Sequence, residues 1–235
     1  MDKRVAVVGA SGFVGGSVCE RLTERGADVM RVSGPRITAS AQGAENAWRD
    51  HPGVVEMLAQ EFAGCDVVVN CAGDPDASSR DHGRLIGANT VLPGVVTAAA
   101  ERAGAARMIH VSSAAVQGAA PQLDDSDRTS AFSVYARSKI GGERAVRDAP
   151  GPSSTVVYRP PSVHSPERRV TRGIRRLATS PLSSVIGSGD LPTPQAHIVN
   201  VGDAIAELAL HPTPPPPVVI HPWEGWTCVE LLRVF

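Results

Sequence analysis

Aromatic residues are scarce in this chain of 235 residues, which has three Trp, two Tyr and four Phe. Lys plus Arg, at 23, nearly balances Asp plus Glu, at 24, for a net charge of -1. With no basic surplus and few stacking platforms, nucleic-acid binding is disfavoured. Cysteine is sparse too: Cys19, Cys65, Cys71 and Cys228 form no C-x-x-C pair. A small disulfide scaffold is thereby ruled out, and reduced thiols in the cytoplasm are expected. The seven histidines are scattered, with no H-E-x-x-H and no ligand-like cluster, so no metal site is expected. Asn89, Thr90 and Pro93 interrupt the longest apolar stretch, which leaves no segment able to span a membrane. Lys3 and Arg4 before the apolar Val5 to Cys19 imitate a secretory signal, but the glycines within that stretch argue against one.

The chain has 42% hydrophobic and 20% charged residues, the balance of a globular protein. Val5 to Val8 reads as a strand buried on both faces, and Val14, Val18 and Leu22 follow at helical spacing up to Gly26. Val29 to Val32, Asp66 to Asn70, Met108 to Val111 and Thr155 to Tyr158 read as further strands. Val54 to Phe62, Leu85 to Ala103 and Val134 to Arg147 read as the helices between them. This alternation predicts an α/β fold, a doubly wound parallel sheet of Rossmann-like type. After Arg159, prolines and serines replace the pattern through Pro194, as in a loop-rich cap. Ile198 to Val201 and Val218 to Ile220 are expected as short strands, with a helix over Ala204 to Leu210 between them. The Pro214 to Pro217 run is either a stiff connector or a polyproline ligand. The apolar Leu231 to Phe235 pattern runs to the last residue, which leads to the expectation of a truncated sequence.

Gly9-Ala10-Ser11-Gly12-Phe13-Val14-Gly15 lies between the first strand and the first helix. Glycines there let backbone N–H groups approach a pyrophosphate under the positive end of the helix dipole. The G-x-x-G-x-x-G spacing departs from G-x-G-x-x-G, and a tight turn without a ligand is the alternative. An acid after the second strand would bind a ribose 2′-OH and repel a 2′-phosphate. Here Val32-Ser33-Gly34-Pro35-Arg36 has none, and Ser33 with Arg36 favours NADP over NAD. Arg36 reads equally as a solvated loop charge.

Tyr135 and Lys139 stand at i and i+4, on one helix face. A phenol titrates near pH 10, and bringing it to about 7 takes roughly 4 kcal/mol of phenolate stabilisation. Lys139 is the expected source. Taken alone, such a pair is a packed aromatic beside a solvated cation. Ser112 and Ser113, which end the fourth strand, make the chemical reading preferable, because ligands bind at the carboxyl ends of parallel strands. A Ser there donates to a carbonyl oxygen while Tyr135 transfers a proton.

Together these residues resemble the extended short-chain dehydrogenases/reductases, in particular the nucleotide-sugar epimerase/dehydratase-like branch, over nearly the whole chain. The resemblance assigns Ser113, Tyr135 and Lys139 as catalytic and adds Asn89, in the helix behind the Lys, as part of a proton relay. It assigns the cofactor to Gly9, Ser11, Gly12, Phe13, Val14 and Gly15 and to Asp50 near the adenine, beside Ser33 and Arg36 as read above. Cys71, Ala72 and Gly73 at the third strand's end, Tyr135, Lys139, and Arg159-Pro160 beside the nicotinamide complete that set. It implies a Rossmann core with the catalytic residues over 1–160 and mainly a substrate cap over 161–235, whose late elements return to the core. A cytoplasmic oxidoreductase acting on a keto or hydroxyl group of a nucleotide sugar follows, with ketoreduction preferred. The alternatives are a 4-epimerase or a non-catalytic dinucleotide sensor, and homodimers through two helices per subunit are implied. Ala114-Ala115 stands where dehydratases have Asp-Glu, so dehydration is not expected. Gln117, His164-Ser165 and Ala196 also depart from the family pattern, on the substrate side. Arg168, Arg169, Arg172, Arg175 and Arg176 are candidate phosphate contacts in its place, or a solvated basic face.

Overall fold

The computed structural model describes residues 3–76, 79–181, 183–185 and 187–234. Six parallel strands form the central sheet: β1 (Arg4–Val8), β2 (Asp28–Val32), β3 (Val67–Asn70), β4 (Arg107–Val111), β5 (Ser154–Arg159) and β8 (Val218–Ile220). Their order is β2-β1-β3-β4-β5-β8. The chain runs from β1 to β2 on one side and then crosses back over β1 to β3 on the other, so the strand order reverses beside β1. Such a switch point opens a crevice at the carboxyl ends of the strands.

Alternate strand residues face opposite layers, and both layers are covered, hence the nearly unbroken apolar runs. Ala6, Val8, Val68 and Met108 pack with Leu58, Val95, Val96 and Ala99 of α2 (Pro52–Glu61) and α4 (Leu92–Arg102). Val5, Val7, Val69, Ile109 and Val156 pack with Val18, Leu22, Ile205 and Ala209 of α1 (Phe13–Glu24) and α7 (Ile198–Leu210). Transfer of such side chains from water stabilises the fold by about 1.5–3 kcal/mol each. α3 (His82–Ile86) runs into α4 through Gly87–Val91, where the helix widens to π geometry. α5 (Val134–Asp148) is started by Ser133, whose hydroxyl accepts from the Ala136 N–H at 3.0 Å.

The C-terminal segment differs from its expected pattern in two places. Residues 198–201, expected as a strand, are the first turn of α7. Val201, Ile205 and Ala209 recur every four residues and are buried in the layer that α1 shares, and tertiary packing overrides the β-branched start. The C-terminal carbonyls of α7 are occupied by two cations. Lys3 donates to the carbonyls of Ala209, Leu210 and His211, and Arg107 to those of Leu208, Ala209 and His211. The stretch expected to be loop-rich holds β6 (Ser162–His164) and α6 (Arg169–Ala178). β7 (Gln195–His197) pairs with β6 in a separate two-stranded parallel sheet, and α8 (Cys228–Val234) follows β8. No helix among the described residues is long and apolar enough to cross a membrane.

Candidate active site

The glycines after β1 form a cradle that side chains would fill. Gly9 has φ +80, a left-handed conformation, and donates its N–H to the Val32 carbonyl at 2.9 Å. A Cβ on Gly9 would lie 2.7 Å from the Ala72 nitrogen, and one on Gly15 would lie 2.2 Å from the Gly9 carbonyl oxygen. Gly12 caps α1 with no side-chain bond, so the N–H groups of Phe13, Val14 and Gly15 have no acceptor within the helix. Open donors, a dipole end and no Cβ fit a dinucleotide's diphosphate. Ser11 is exposed at the rim.

Ser33 and Arg36 are exposed beyond the carboxyl end of β2, and Arg36 has no ion pair among the described residues. Between them, Gly34 abuts Ala72, which a Cβ would meet at 3.0 Å. Asp50 ends an exposed 3₁₀ turn, Ala47–Asp50, that packs through Trp48 against Gly94 of α4. No hydrogen bond or ion pair joins Asp50 to the glycine cradle.

At the end of β3, Asn70 accepts from the Ala72 N–H at 3.1 Å and reaches His110 Nδ1 at 3.3 Å. Cys71 donates its N–H to the Val8 carbonyl, which ties this turn to β1. Burial raises the Cys71 thiol above its ordinary value, so it is not a thiolate. Gly73 lets two site residues approach: a Cβ there would lie 2.8 Å from Asn89 Oδ1 and 3.5 Å from Lys139 Nζ.

Asn89 lies in the π turn and is fully buried. Its Oδ1 accepts from the Asp74 N–H, and its Nδ2 donates to the Asp74 carbonyl and to Ser138 Oγ. The Asn89 amide thus staples the turn after β3 to α5.

Ser113, Tyr135 and Lys139 meet at the carboxyl end of β4. Ser113 caps the short turn Ala114–Gln117, accepting from the Ala115 N–H at 3.2 Å. Tyr135 is half-buried, and desolvation raises its phenol above the ordinary value; the nearby Ser113 hydroxyl and the Arg168 charge oppose that shift, while Asp74 adds to it. Lys139, buried at 6% exposure, donates to the Val111 carbonyl at 3.0 Å. Desolvation lowers its ammonium to about 8, partly offset by Glu143 and Cys71. Among the protein's own charges, Arg168 favours the Tyr135 phenolate and Asp74 disfavours it.

The Arg159 side chain is engaged within the protein. Its guanidinium is fully buried and forks onto Glu143, with Nε to Oε1 at 2.9 Å and Nη2 to Oε2 at 2.7 Å. Nη1 donates to the Ser126 carbonyl at 2.9 Å, and Ser112 Oγ donates to Glu143 Oε1 at 2.6 Å. The side chain therefore fastens α5, β5 and the 124–126 loop around the residue preceding Ser113 and is not free for a cofactor. Pro160 is buried, and its carbonyl accepts from the Ala114 N–H at 2.8 Å. Sequence reasoning missed Glu143, which Ser112 and Arg159 hold, although Tyr135, Lys139 and Glu143 recur every four residues. It also missed His110, fully buried and kept well below its ordinary value by desolvation and by Lys139.

A cavity of about 560 Å³ opens in the C-terminal segment, lined among others by Ser165, Arg172, Arg175, Asn200 and Trp226. Ala196 and His164 also line it. Ser165 Oγ is buried with no partner, and no acidic side chain pairs with Arg172 or Arg175 among the described residues. Gln117 is buried and exchanges two hydrogen bonds with Asp124 at 2.7 and 2.9 Å, bracing the loop that Arg159 holds.

A parallel sheet with a switch point, a glycine cradle at its mouth and a Ser/Tyr/Lys cluster beside it define a Rossmann-like dinucleotide-binding protein. The chain belongs to the NAD dependent epimerase/dehydratase family, whose pattern matches residues 5–220. It is 29% identical over 153 residues to dTDP-4-dehydrorhamnose reductase of Mycobacterium tuberculosis, covering 62% of this chain and 46% of that protein. It is 32% identical over 172 residues to a 4-hydroxy-2-methyl-3-oxo-4-farnesyl-3,4-dihydroquinoline-1-oxide ketoreductase of Stigmatella aurantiaca, covering 67% of this chain and 49% of that protein. The chain thus spans about half the length of these curated relatives. In fold it is similar to dTDP-4-dehydrorhamnose reductase of Bacillus anthracis in complex with NADP. There the TM-score is 0.74 at 18% identity, covering 100% of this chain and 80% of that one. A similar likeness holds to the NAD dependent NDP-hexosamine 5,6-dehydratase TunA, with a TM-score of 0.73 at 21% identity, covering 99% and 80%.

Proposed function

We propose that this chain is a cytoplasmic, NADP(H)-dependent ketoreductase acting on a nucleotide sugar, with NAD(H) as the alternative cofactor. The observation that carries this reading is the convergence of Ser113, Tyr135 and Lys139 at the sheet's mouth, beside the glycine cradle. The curated relatives, both named for reductions, support reduction over epimerisation. Ala114 and Ala115 leave no acid and base for dehydration.

Bound in the cradle, the nicotinamide dinucleotide supplies or accepts the hydride. Gly9, Gly12 and Gly15 admit its diphosphate to the N–H groups of α1, and Ser33 with Arg36 takes a 2′-phosphate. Ser113 donates a hydrogen bond to the substrate carbonyl oxygen and polarises it. Tyr135 delivers its phenolic proton to that oxygen, a step that a phenol held protonated by burial performs at neutral pH. Lys139 anchors to the end of β4 and holds the cofactor's nicotinamide ribose. Residues from 161 onward, apart from α7 and β8, form the substrate cap, where Arg172 and Arg175 hold the diphosphate and Trp226 offers a face to the base.

The test is NADPH oxidation with 4-keto nucleotide sugars such as dTDP-4-dehydrorhamnose. The wild type should consume NADPH stoichiometrically, and Tyr135→Phe should lose at least about 100-fold in rate, the usual contribution of a positioned acid. Interconversion of isomers without net NADPH consumption would identify an epimerase instead, and undiminished activity in Tyr135→Phe would remove the phenol from the mechanism.

A further inference from the structure

Three arginines in and beside the basic helix α6 go to two places. Arg172 and Arg175 line the cap cavity, whereas Arg168, at the residue that starts the helix, turns back towards the core. Its Nη1 is anchored on the Val163 carbonyl at the middle of β6. Its guanidinium carbon lies 5.2 Å above the centre of the Phe13 ring, and Phe13 is the first residue of α1. This contact sets a fixed cation of the C-terminal segment against the helix whose free N–H groups form the cradle. Its remaining N–H donors have no hydrogen-bond partner among the described residues. No carboxylate pairs with it there either. A guanidinium anchored at one corner, stacked at another and open elsewhere is preorganised for an anion. The anion that the cradle beside Phe13 is shaped for is a diphosphate.

We propose that Arg168 is a cofactor-binding residue supplied by the C-terminal segment, which reaches across the cleft and clasps the diphosphate of the dinucleotide against α1. The inference rests on the functional reading above and deepens it: Arg168, Arg172 and Arg175 do not act as one substrate-phosphate patch. Arg168 serves the cofactor side, and Arg172 and Arg175 serve the substrate side. The Arg168 charge also acts on the Tyr135 phenol, consistent with a position at the boundary between the two.

The test measures NADPH and NADH binding to the full chain by fluorescence titration, with no substrate present. Arg168→Gln should weaken both cofactors by the same factor, about tenfold, the loss expected for a charge-assisted hydrogen bond. Arg168→Lys should fall between it and the wild type. Arg36→Gln should weaken NADPH alone, because only that cofactor carries the 2′-phosphate. Arg144→Gln, which removes an exposed charge from α5, controls for net charge and should leave both affinities unchanged. Wild-type affinities in Arg168→Gln would overturn the inference while leaving the functional reading intact, as would a loss confined to substrate KM. Failure of the wild type to bind either dinucleotide would overturn the functional reading and this inference with it.

Discussion

Replacing Lys139 with Met separates the energetic penalty of the ammonium in the fold from its part in the site. The lysine is buried at 6% exposure, and its assigned hydrogen bond is to the Val111 carbonyl. Burial lowers its pKa from 10.5 to about 8. At about 1.4 kcal/mol per pH unit, the folded protein holds this proton at a penalty on the order of 3 kcal/mol. Lys139→Met has similar volume and removes the penalty, but leaves the Val111 carbonyl without its donor, a loss of about 1–2 kcal/mol. The variant should be more stable than the wild type by about 1–2 kcal/mol at pH 7 while losing reductase activity. The pH dependence is the sharper measurement. Below about pH 8 the lysine is protonated in both folded and unfolded chains, and the penalty is present in full. Between about 8 and 10.5 the unfolded chain holds the proton and the folded chain releases it, so wild-type stability rises with pH relative to the variant. Urea unfolding of both proteins at pH 7, 8, 9 and 10 reads the difference directly, with the titrations common to both cancelling. A stability difference that is flat over this range, or that grows in favour of the variant, would refute the reasoning.

Arg159→Met should cost about 3–5 kcal/mol, because it leaves the fully buried Glu143 carboxylate with Ser112 and, at 4.0 Å, Arg147. Combining it with Glu143→Leu should recover at least half of that loss in urea unfolding, and a single variant within about 1 kcal/mol of wild type would contradict the network. Gly15→Ala should abolish cofactor binding and destabilise the protein by about 3 kcal/mol, since its Cβ meets the Gly9 carbonyl oxygen at 2.2 Å. Gly53→Ala, where a Cβ meets nothing within 4 Å, should instead be neutral or stabilising by up to about 1 kcal/mol when both glycine variants are compared with the wild type in thermal melts.

The sheet was legible because strands buried on both faces are written as unbroken apolar runs, and Val5 to Val8 and Val67 to Val69 announce themselves without help from their partners. The glycine turn and the Tyr135–Lys139 pair were legible for the same reason: a strand-to-helix turn and an i, i+4 face are local geometry. The short elements after Arg159 were not, since β6 and β7 have three residues each and gain their hydrogen bonds only from one another. Residues 198–201 carry a β-like composition that becomes helical only against α1.

The sequence by itself determined the parallel architecture, the cradle's position and the helix face that Tyr135 and Lys139 share. The physical reason is that periodicity and turn chemistry act over a few neighbouring residues. Only the tertiary structure decided how each charge is used. Arg159 lies beside Pro160 in the chain yet is bound to Glu143, 16 residues away. Asn89 staples a turn, and Arg168 crosses from β6 to α1. Desolvation and ion pairing depend on which distant groups the fold brings within a few ångströms, and no local pattern encodes that distance.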